Sequence, residues 1–361
     1  MGASLIRFQR TALRLQKLVV DWAGWSGQVY FEHRVAEYRN MWRAVAAAEG
    51  ATFTELARGL WQLELRGHRA RILNHELEFD NPVTLGLAGR KTVVHRLLGD
   101  AGLAVPEHAV FSLGGLDEAC RFVEAHPQGC VIKPAGGYGG KGVTTHVQHA
   151  SEVRRAALLA SLYDSDLLIE TQIPGESYRL LVLEGKVVHA VCRRGPRLLA
   201  DGVSTLRQLL EAENARRQRA GLPAIDVDRD CVFTMKYQGL TLDSTPAEGR
   251  VVLAKSVNDA GRKYVEVRTV YTDTVTDLVC ESICRDAETA ARLVGSEFLG
   301  VDVITPDPSR PLHESGGVIN EVNTTPALHH HYDVQREPYP EAAVLAFRAL
   351  MRKHAAAVAR I

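Results

Sequence analysis

The stretch that most constrains what this 361-residue chain can fold into is Cys130-Val-Ile-Lys-Pro-Ala-Gly-Gly-Tyr-Gly-Gly-Lys-Gly-Val143. An apolar run delivers Lys133, and five glycines then fall within the seven residues 136–142, with Lys141 among them. The β-branched run Val143-Thr-Thr-His-Val147 reads as a second strand. Strand, glycine loop, strand is a hairpin whose tip carries almost no side chains. A glycine backbone adopts positive φ and approaches a ligand closely, so successive N–H groups can point at phosphate oxygens. Lys133 adds a cation beside them.

Three look-alikes are set aside. Gly137, Gly139 and Gly142 match the dinucleotide fingerprint G-x-G-x-x-G, but that motif opens a helix, and β-branched residues follow here. The P-loop pattern fails at both ends, with Ala135 in place of its first glycine and Gly142 in place of Ser or Thr. A kinase glycine loop does lie between strands, but the chain carries neither H-R-D nor D-F-G. A flexible surface hairpin without a ligand is the plain alternative.

The length suggests two or three domains or lobes, enough for a large core. Lys+Arg and Asp+Glu are both 43, which argues against a nucleic-acid binder, since those show a basic excess. Six cysteines occur without C-x-x-C spacing, a pattern that fits a reducing cytoplasm and gives no zinc site. Cys280 and Cys284 sit one helical turn apart and read as half-buried helix positions. No apolar run approaches the roughly 20 residues of a membrane helix. Gly2 is not followed by Ser or Thr at position six, and no signal-peptide core follows the basic residues Arg7, Arg10, Arg14 and Lys17, so the start reads as a solvated helix.

Residues 1–88 read as a small leading domain, with a helix over 37–49 that buries Met41, Trp42, Val45 and Ala46, and strands from Trp61 onward. From Lys91 the pattern becomes an α/β alternation. Helices are predicted over 91–101 and 116–125, strands over 129–133 and 167–170, and a helix capped at Ser151. The run Ile169-Glu-Thr-Gln-Ile-Pro-Gly-Glu-Ser-Tyr-Arg179 is a strand entering a Pro-Gly turn, a natural hinge whose backbone could bond an adenine edge. A hairpin across Glu184-Gly185 ends at Arg193 and Arg194. The expected division is 1–88, a lobe with the glycine loop over 89–168, and a C-terminal lobe over 169–361.

Two later strands carry polar residues among apolar ones: Asp302 between Val301 and Val303, and Glu321 and Asn323 in Gly317-Val-Ile-Asn-Glu-Val-Asn323. Residues two apart leave one face of a strand. Two carboxylates and an amide oxygen make an oxygen-only set, which suits Mg²⁺; strand-end surface polars are the alternative. His329, His330 and His331 cannot all face one way; at most one or two would face a site, where one could contact phosphate or a substrate carboxylate, and their role is left open.

Taken in order, Lys91, Lys133 with its loop, the Glu170 hinge, Arg179, Asp302 and Glu321-x-Asn323 resemble the ATP-grasp ligases, over about residues 82–332. Tyr178-Arg-Leu-Leu-Val182, the run from Ala200 to Leu210, the run from Gln238 to Pro246 and the stretch 300–326 are similar in particular to the ATP-grasp part of cyanophycin synthetases. The resemblance implies an α/β (α+β) ATP-grasp fold with a small N-terminal domain. It implies that Lys91 and Lys133 contact ATP phosphates. It has Gly136, Gly137, Gly139, Gly140, Lys141 and Gly142 cover the triphosphate. It has Glu170, Thr171 and Ile173 read adenine, with Glu176 or Ser177 at the ribose. Asp302, Glu321 and Asn323 would hold one or two Mg²⁺, and Arg179 with Arg193 or Arg194 would face the γ-phosphate and the acyl phosphate. Asn214 matches a polar substrate-side position.

The function so implied is an ATP-dependent carboxylate–amine ligase that forms an amide through an acyl phosphate, giving ADP and phosphate. A phosphotransferase or carboxylating enzyme on the same fold, or a non-catalytic nucleotide-binding protein, stands as the alternative. The partners expected are ATP and an amino acid or short peptide, with no nucleic acid and no membrane; a homodimer is left open. The chain departs from the resembled enzymes in ending soon after the ATP-grasp region, so a two-step polymerase is not expected.

Overall fold

A computed structural model describes residues 3–23, 26–136, 140–220, 224–256, 273–332 and 337–358. Helices α1 (Ala3–Ala23) and α2 (Ser26–Glu49) lead into an antiparallel meander of β1 (Thr52–Ala57), β2 (Leu60–Leu65), β3 (His68–Leu73) and β4 (Glu76–Leu77). Next come α3 (Pro82–Ala88), α4 (Lys91–Asp100), β5 (His108–Phe111), α5 (Leu116–Ala125), β6 (Cys130–Pro134), β7 (Thr144–Val147), α6 (Ala150–Ala160) and β8 (Leu167–Thr171). The hairpin β9 (Glu176–Leu183) and β10 (Lys186–Arg193) is followed by β11 (Arg197–Leu199), α7 (Leu206–Arg219), α8 (Arg229–Tyr237), β12 (Val251–Leu253) and β13 (Asp273–Thr274). Then follow α9 (Glu281–Val294), β14 (Phe298–Thr305), α10 (Leu312–Ser315), β15 (Val318–Asn323) and α11 (Glu341–Val358).

The residues divide into two units. One comprises Met1–Tyr30, Phe111–Ile169 and Arg193–Val270; the other comprises Phe31–Val110, Glu170–Cys192 and Tyr271–Ile361. The sheets run β1-β2-β3-β4, β5-β8-β6-β7, β13-β10-β9-β14-β15 and β11-β12.

In the second unit the five-stranded sheet separates two apolar layers. Strand alternation sends Leu181, Leu183 and Phe298 to one face, where they meet α2, β2, β3 and α11 through Trp42, Trp61, Ile72 and Phe347. Leu180, Val182, Leu299, Val301 and Val303 go to the other face, against Ile283, Ala287, Ala290, Ala291 and Val294 of α9. Those five positions recur with helical spacing, and small alanines let the helix lie close to the sheet. Helix α9 stops at Gly295, whose φ of 76° is left-handed and whose N–H closes the last turn onto Ala291 and Arg292.

In the first unit α5 and α6 pack together and α6 lies on β6 and β7, while α1 rests on α6. The β11-β12 ribbon packs with α7 and α8 around Leu198, Leu206, Leu210, Met235 and Val252. Helix α7 opens on a Thr205/Gln208 capping box. Asp228 caps α8 through the Cys231 N–H at 3.0 Å, and its second oxygen takes the buried Lys255 Nζ at 2.7 Å. Asn214, read from the sequence as a substrate-side polar residue, exchanges two hydrogen bonds with the Ile225 backbone, at 2.7 and 3.0 Å.

One cap differs from expectation. Helix α6 begins at Ala150 with His149 as its cap, not at a Ser151 cap, because the Glu152 carboxylate accepts the N–H groups of Gln148 and His149 at 2.9 and 3.2 Å. A carboxylate at the third helical position satisfies orphan amides from inside the helix. None of the six cysteines is joined in a disulfide. Among the described residues no helix is long and apolar enough to cross a membrane.

Candidate active site

The sheet of the second unit carries a polar row at one end of its apolar face. Register pairs Arg179 of β9 with Asp302 of β14, and Asp302 with Glu321 of β15. Residues directly opposite on antiparallel strands share a face. The three side chains therefore line up across three strands, with Asn323 two residues along on the same side. Arg179 donates from Nε and Nη2 to the two Asp302 oxygens at 2.7 and 2.8 Å. Asn323 Nδ2 donates to Asp302 Oδ2 at 3.2 Å. Lys91, the first residue of α4, places Nζ 3.1 Å from Glu321 Oε1.

Two details of the strands make this row. A Cβ on Gly300 would lie 3.2 Å from Arg179 Cδ, so glycine leaves the guanidinium stem room to lie over β14 and reach Asp302. On β15 the register slips, so that Asp302 faces Glu321 but Val303 faces Ile319. Asn320 is thus the extra residue of a bulge, a device that re-aims neighbouring side chains. Its carbonyl accepts from Nε2 of the buried His95 on α4 at 3.0 Å. Neither His95 nor the bulge had a signal in the sequence.

Asp302 is 2% exposed. A buried carboxylate is tolerated only when paired and hydrogen-bonded, and Arg179 and Asn323 do that here. The donor set of Asp302, Glu321 and the Asn323 carbonyl is all oxygen. Among the described residues no group of three or more His, Cys, Asp and Glu converges as a metal site. The all-oxygen trio of Asp302, Glu321 and the Asn323 side-chain amide suits a hard cation such as Mg²⁺ and offers no nitrogen or sulfur ligand to a softer metal.

The glycine-loop residues belong to the first unit. Lys133 is 5% exposed near the end of β6, inside a strand whose five residues are all buried. Gly136, Gly140, Lys141 and Gly142 are half-buried, whereas Gly137 and Gly139 lie outside the described residues. The Gly136 N–H donates to Asp164 Oδ2 at 2.8 Å. Gly142 has φ +76°, and a Cβ there would lie 2.7 Å from the Tyr163 ring, so only glycine fits. Arg193 and Arg194 stand half-buried at the end of β10.

The hinge residues belong to the second unit. Glu170 is 3% exposed, and the N–H of Thr171 donates to the Glu107 carbonyl at 3.0 Å. Ile173 is half-buried in the connection to β9, whose first two residues are Glu176 and Ser177. Gly175 turns this connection at φ +119°, and a Cβ there would collide with the backbone of Thr305 and Pro306.

The three histidines take separate partners. His329 Nδ1 bonds the Tyr38 hydroxyl at 2.6 Å, His331 Nδ1 lies 3.0 Å from His189 Nδ1, and the His330 ring sits 4.0 Å from that of His329.

No protein-family model matches the chain. Cyanophycin synthetase of Trichormus variabilis is 29% identical over 342 residues, covering 89% of this chain and 37% of that protein. The glutathione biosynthesis bifunctional protein GshAB of Streptococcus mutans is 30% identical over 264 residues, covering 70% of this chain and 34% of that protein. The crystal structure of a bifunctional glutathione synthetase from Pasteurella multocida matches with a TM-score of 0.50 at 23% identity, over 78% of this chain and 38% of that one. The chain thus spans little more than a third of the length of the relatives it matches. It is homologous to that part of the cyanophycin synthetases, and its fold is the ATP-grasp fold.

Proposed function

We propose that this ATP-grasp chain is a carboxylate–amine ligase that uses ATP to activate an amino acid or short peptide and joins it to an amine, releasing ADP and phosphate. The observation that carries the reading is the row Arg179–Asp302–Glu321 with Asn323 and Lys91. It gathers two carboxylates and an amide on one sheet face, with a cationic side chain at each end, on a fold shared with glutathione synthetase.

A carboxylate is a poor acceptor for an amine because its oxygen leaves badly. Phosphorylating it converts that oxygen into part of a phosphate, a good leaving group. Phosphoryl transfer asks the protein for positioning and charge neutralisation more than for acid–base groups. In this reading the Lys133 ammonium and the glycine-loop amides hold the phosphates, and Lys91 joins them. Glu170 and the backbone of 171–173 hold adenine, with Glu176 or Ser177 at the ribose. Asp302, Glu321 and Asn323 would hold one or two Mg²⁺, which would supply positive charge to offset that of the phosphates. Arg179 fixes Asp302 in place and presents its guanidinium to the same face. Arg193 and Arg194 supply further positive charge toward the acyl phosphate. The amine then attacks the acyl carbon, and phosphate departs with the former carboxylate oxygen.

The test is an amino-acid and dipeptide matrix screened for ADP and phosphate release with Mg-ATP, with products weighed by mass spectrometry. The reading expects ADP and phosphate in equal amounts, only when acid and amine are both present. ADP without phosphate would mark a phosphotransferase. No turnover with bound nucleotide would mark a non-catalytic binder.

A further inference from the structure

The geometry points to Asp164 as a positioning residue for the nucleotide-binding loop, a role that rests on the nucleotide reading above. Asp164 lies in the turn that follows α6, and the described ends of the glycine loop both meet that turn. At the entry, the Gly136 N–H donates to Asp164 Oδ2 at 2.8 Å, and a Cβ on Gly136 would lie 2.8 Å from the same oxygen. Just before it, the Ala135 N–H donates to the Asp166 carbonyl at 2.9 Å, while Asp164 Oδ1 accepts the Asp166 N–H at 3.2 Å. At the exit, Gly142 packs where a Cβ would lie 2.7 Å from Tyr163 Cδ2 and 3.2 Å from Ala160 Cα. Ala160, Tyr163 and Asp164, all within one turn, therefore meet both described ends of the loop.

The same turn is also contacted by α1. Arg10 Nη2 donates to the Ser161 carbonyl at 3.0 Å, and Lys17 Nζ stands 5.4 Å from the centre of the Tyr163 ring. The turn thus contacts both α1 and the loop.

A carboxylate beside a loop that binds phosphate is electrostatically adverse, and that fixes the sign of the test. If the charge of Asp164 mattered only by repelling the triphosphate, removing it would tighten nucleotide binding. If Asp164 instead orients the first loop amide and the strand end that carries Lys133, removing its oxygens loosens the loop and weakens binding. Asparagine separates the two effects, because its carbonyl oxygen still accepts the Gly136 N–H without a charge.

The experiment is titration calorimetry of the full chain with Mg²⁺ and an ATP analogue that resists hydrolysis between the β- and γ-phosphates. Wild type is compared with Asp164→Ala, Asp164→Asn and Lys133→Ala, with thermal midpoints recorded alongside. Losing one charge-assisted hydrogen bond predicts roughly tenfold weaker binding for Asp164→Ala, against about twofold or less for Asp164→Asn, at similar midpoints. Asp164→Ser, whose oxygen is too short to span to Gly136, repeats the test if the alanine variant does not fold. Equal or tighter binding by Asp164→Ala, or loss by Asp164→Asn as large as by Asp164→Ala, overturns the assignment. If Lys133→Ala loses binding and Asp164→Ala does not, only the role of Asp164 falls. If wild type binds no nucleotide, or Lys133→Ala binds like wild type, the nucleotide reading itself falls and takes this inference with it.

Discussion

Arg179 and Asp302 are directly opposite on adjacent strands and form a two-pronged ion pair, with Nε to Oδ1 at 2.7 Å and Nη2 to Oδ2 at 2.8 Å. Both side chains are buried, at 10% and 3% exposure. Removing one partner strands a buried charge, which costs about 3–5 kcal/mol. Arg179→Ala is therefore expected to lower unfolding stability by that order in urea titration. Arg179→Lys should recover little, since an ammonium cannot make the fork. A loss below about 1 kcal/mol for Arg179→Ala would show that the pair is solvated and not structural.

Lys91 and Glu321 form the contrasting pair, 3.1 Å apart but more open, at 11% and 28% exposure. Partly exposed pairs contribute about 1 kcal/mol or less. Glu321→Gln should leave the thermal midpoint nearly unchanged while removing Mg²⁺-dependent turnover. A variant that keeps its turnover, or wild-type activity that survives EDTA, would remove Glu321 from the metal set.

Acid should destabilise the fold through its half-buried imidazoles. Burial holds His189 below its ordinary value of 6.5, against the opposing pull of Glu337 and Glu341, and holds His75 and His146 low as well. The unfolded chain then binds more protons than the folded one as pH falls through 6.5, so stability is lost on the acid side and regained as pH rises. Protonating both His189 and His331 also breaks their Nδ1–Nδ1 hydrogen bond of 3.0 Å. Thermal midpoints are expected to fall from about pH 7.5 to about pH 5.5, and less steeply in His189→Asn. An unchanged slope in that variant would exclude His189 as a contributor.

Burial pushes the Cys130 thiol up to about 11, in a strand closed on both sides. The thiolate is the reactive form. Mass mapping after a brief thiol-reagent pulse at about pH 8 should find Cys130 unlabelled while the half-buried Cys280 reacts first. Early labelling of Cys130 would mean that β6 opens readily.

What the sequence made legible follows from range. The helix expected over 116–125 is α5, because an apolar face and a preceding Gly-Gly turn define it locally. The apolar runs around Asp302 and Glu321 are β14 and β15 within about a residue, and period-two alternation sets Glu321 and Asn323 on one face. The helix read over 37–49 is the end of α2, which starts at Ser26, since its first turns lack a strong apolar stripe. Long-range pairings were not legible. Arg179 and Asp302 are 123 residues apart, and only strand register makes them neighbours. The bulge at Asn320 carries no glycine or proline to announce it. Asp164, 28 residues from Gly136, reads in sequence as an ordinary Asp-Ser-Asp turn.

The central claim is that a substrate carboxylate is phosphorylated on this fold before an amine attacks it. The most direct measurement takes an acid–amine pair that turns over, labels the carboxylate with ¹⁸O, and follows the released phosphate by ³¹P NMR. An acyl-phosphate route carries one labelled oxygen into the phosphate, with ADP as the nucleotide product. Unlabelled phosphate, or release of AMP and pyrophosphate, would contradict the account.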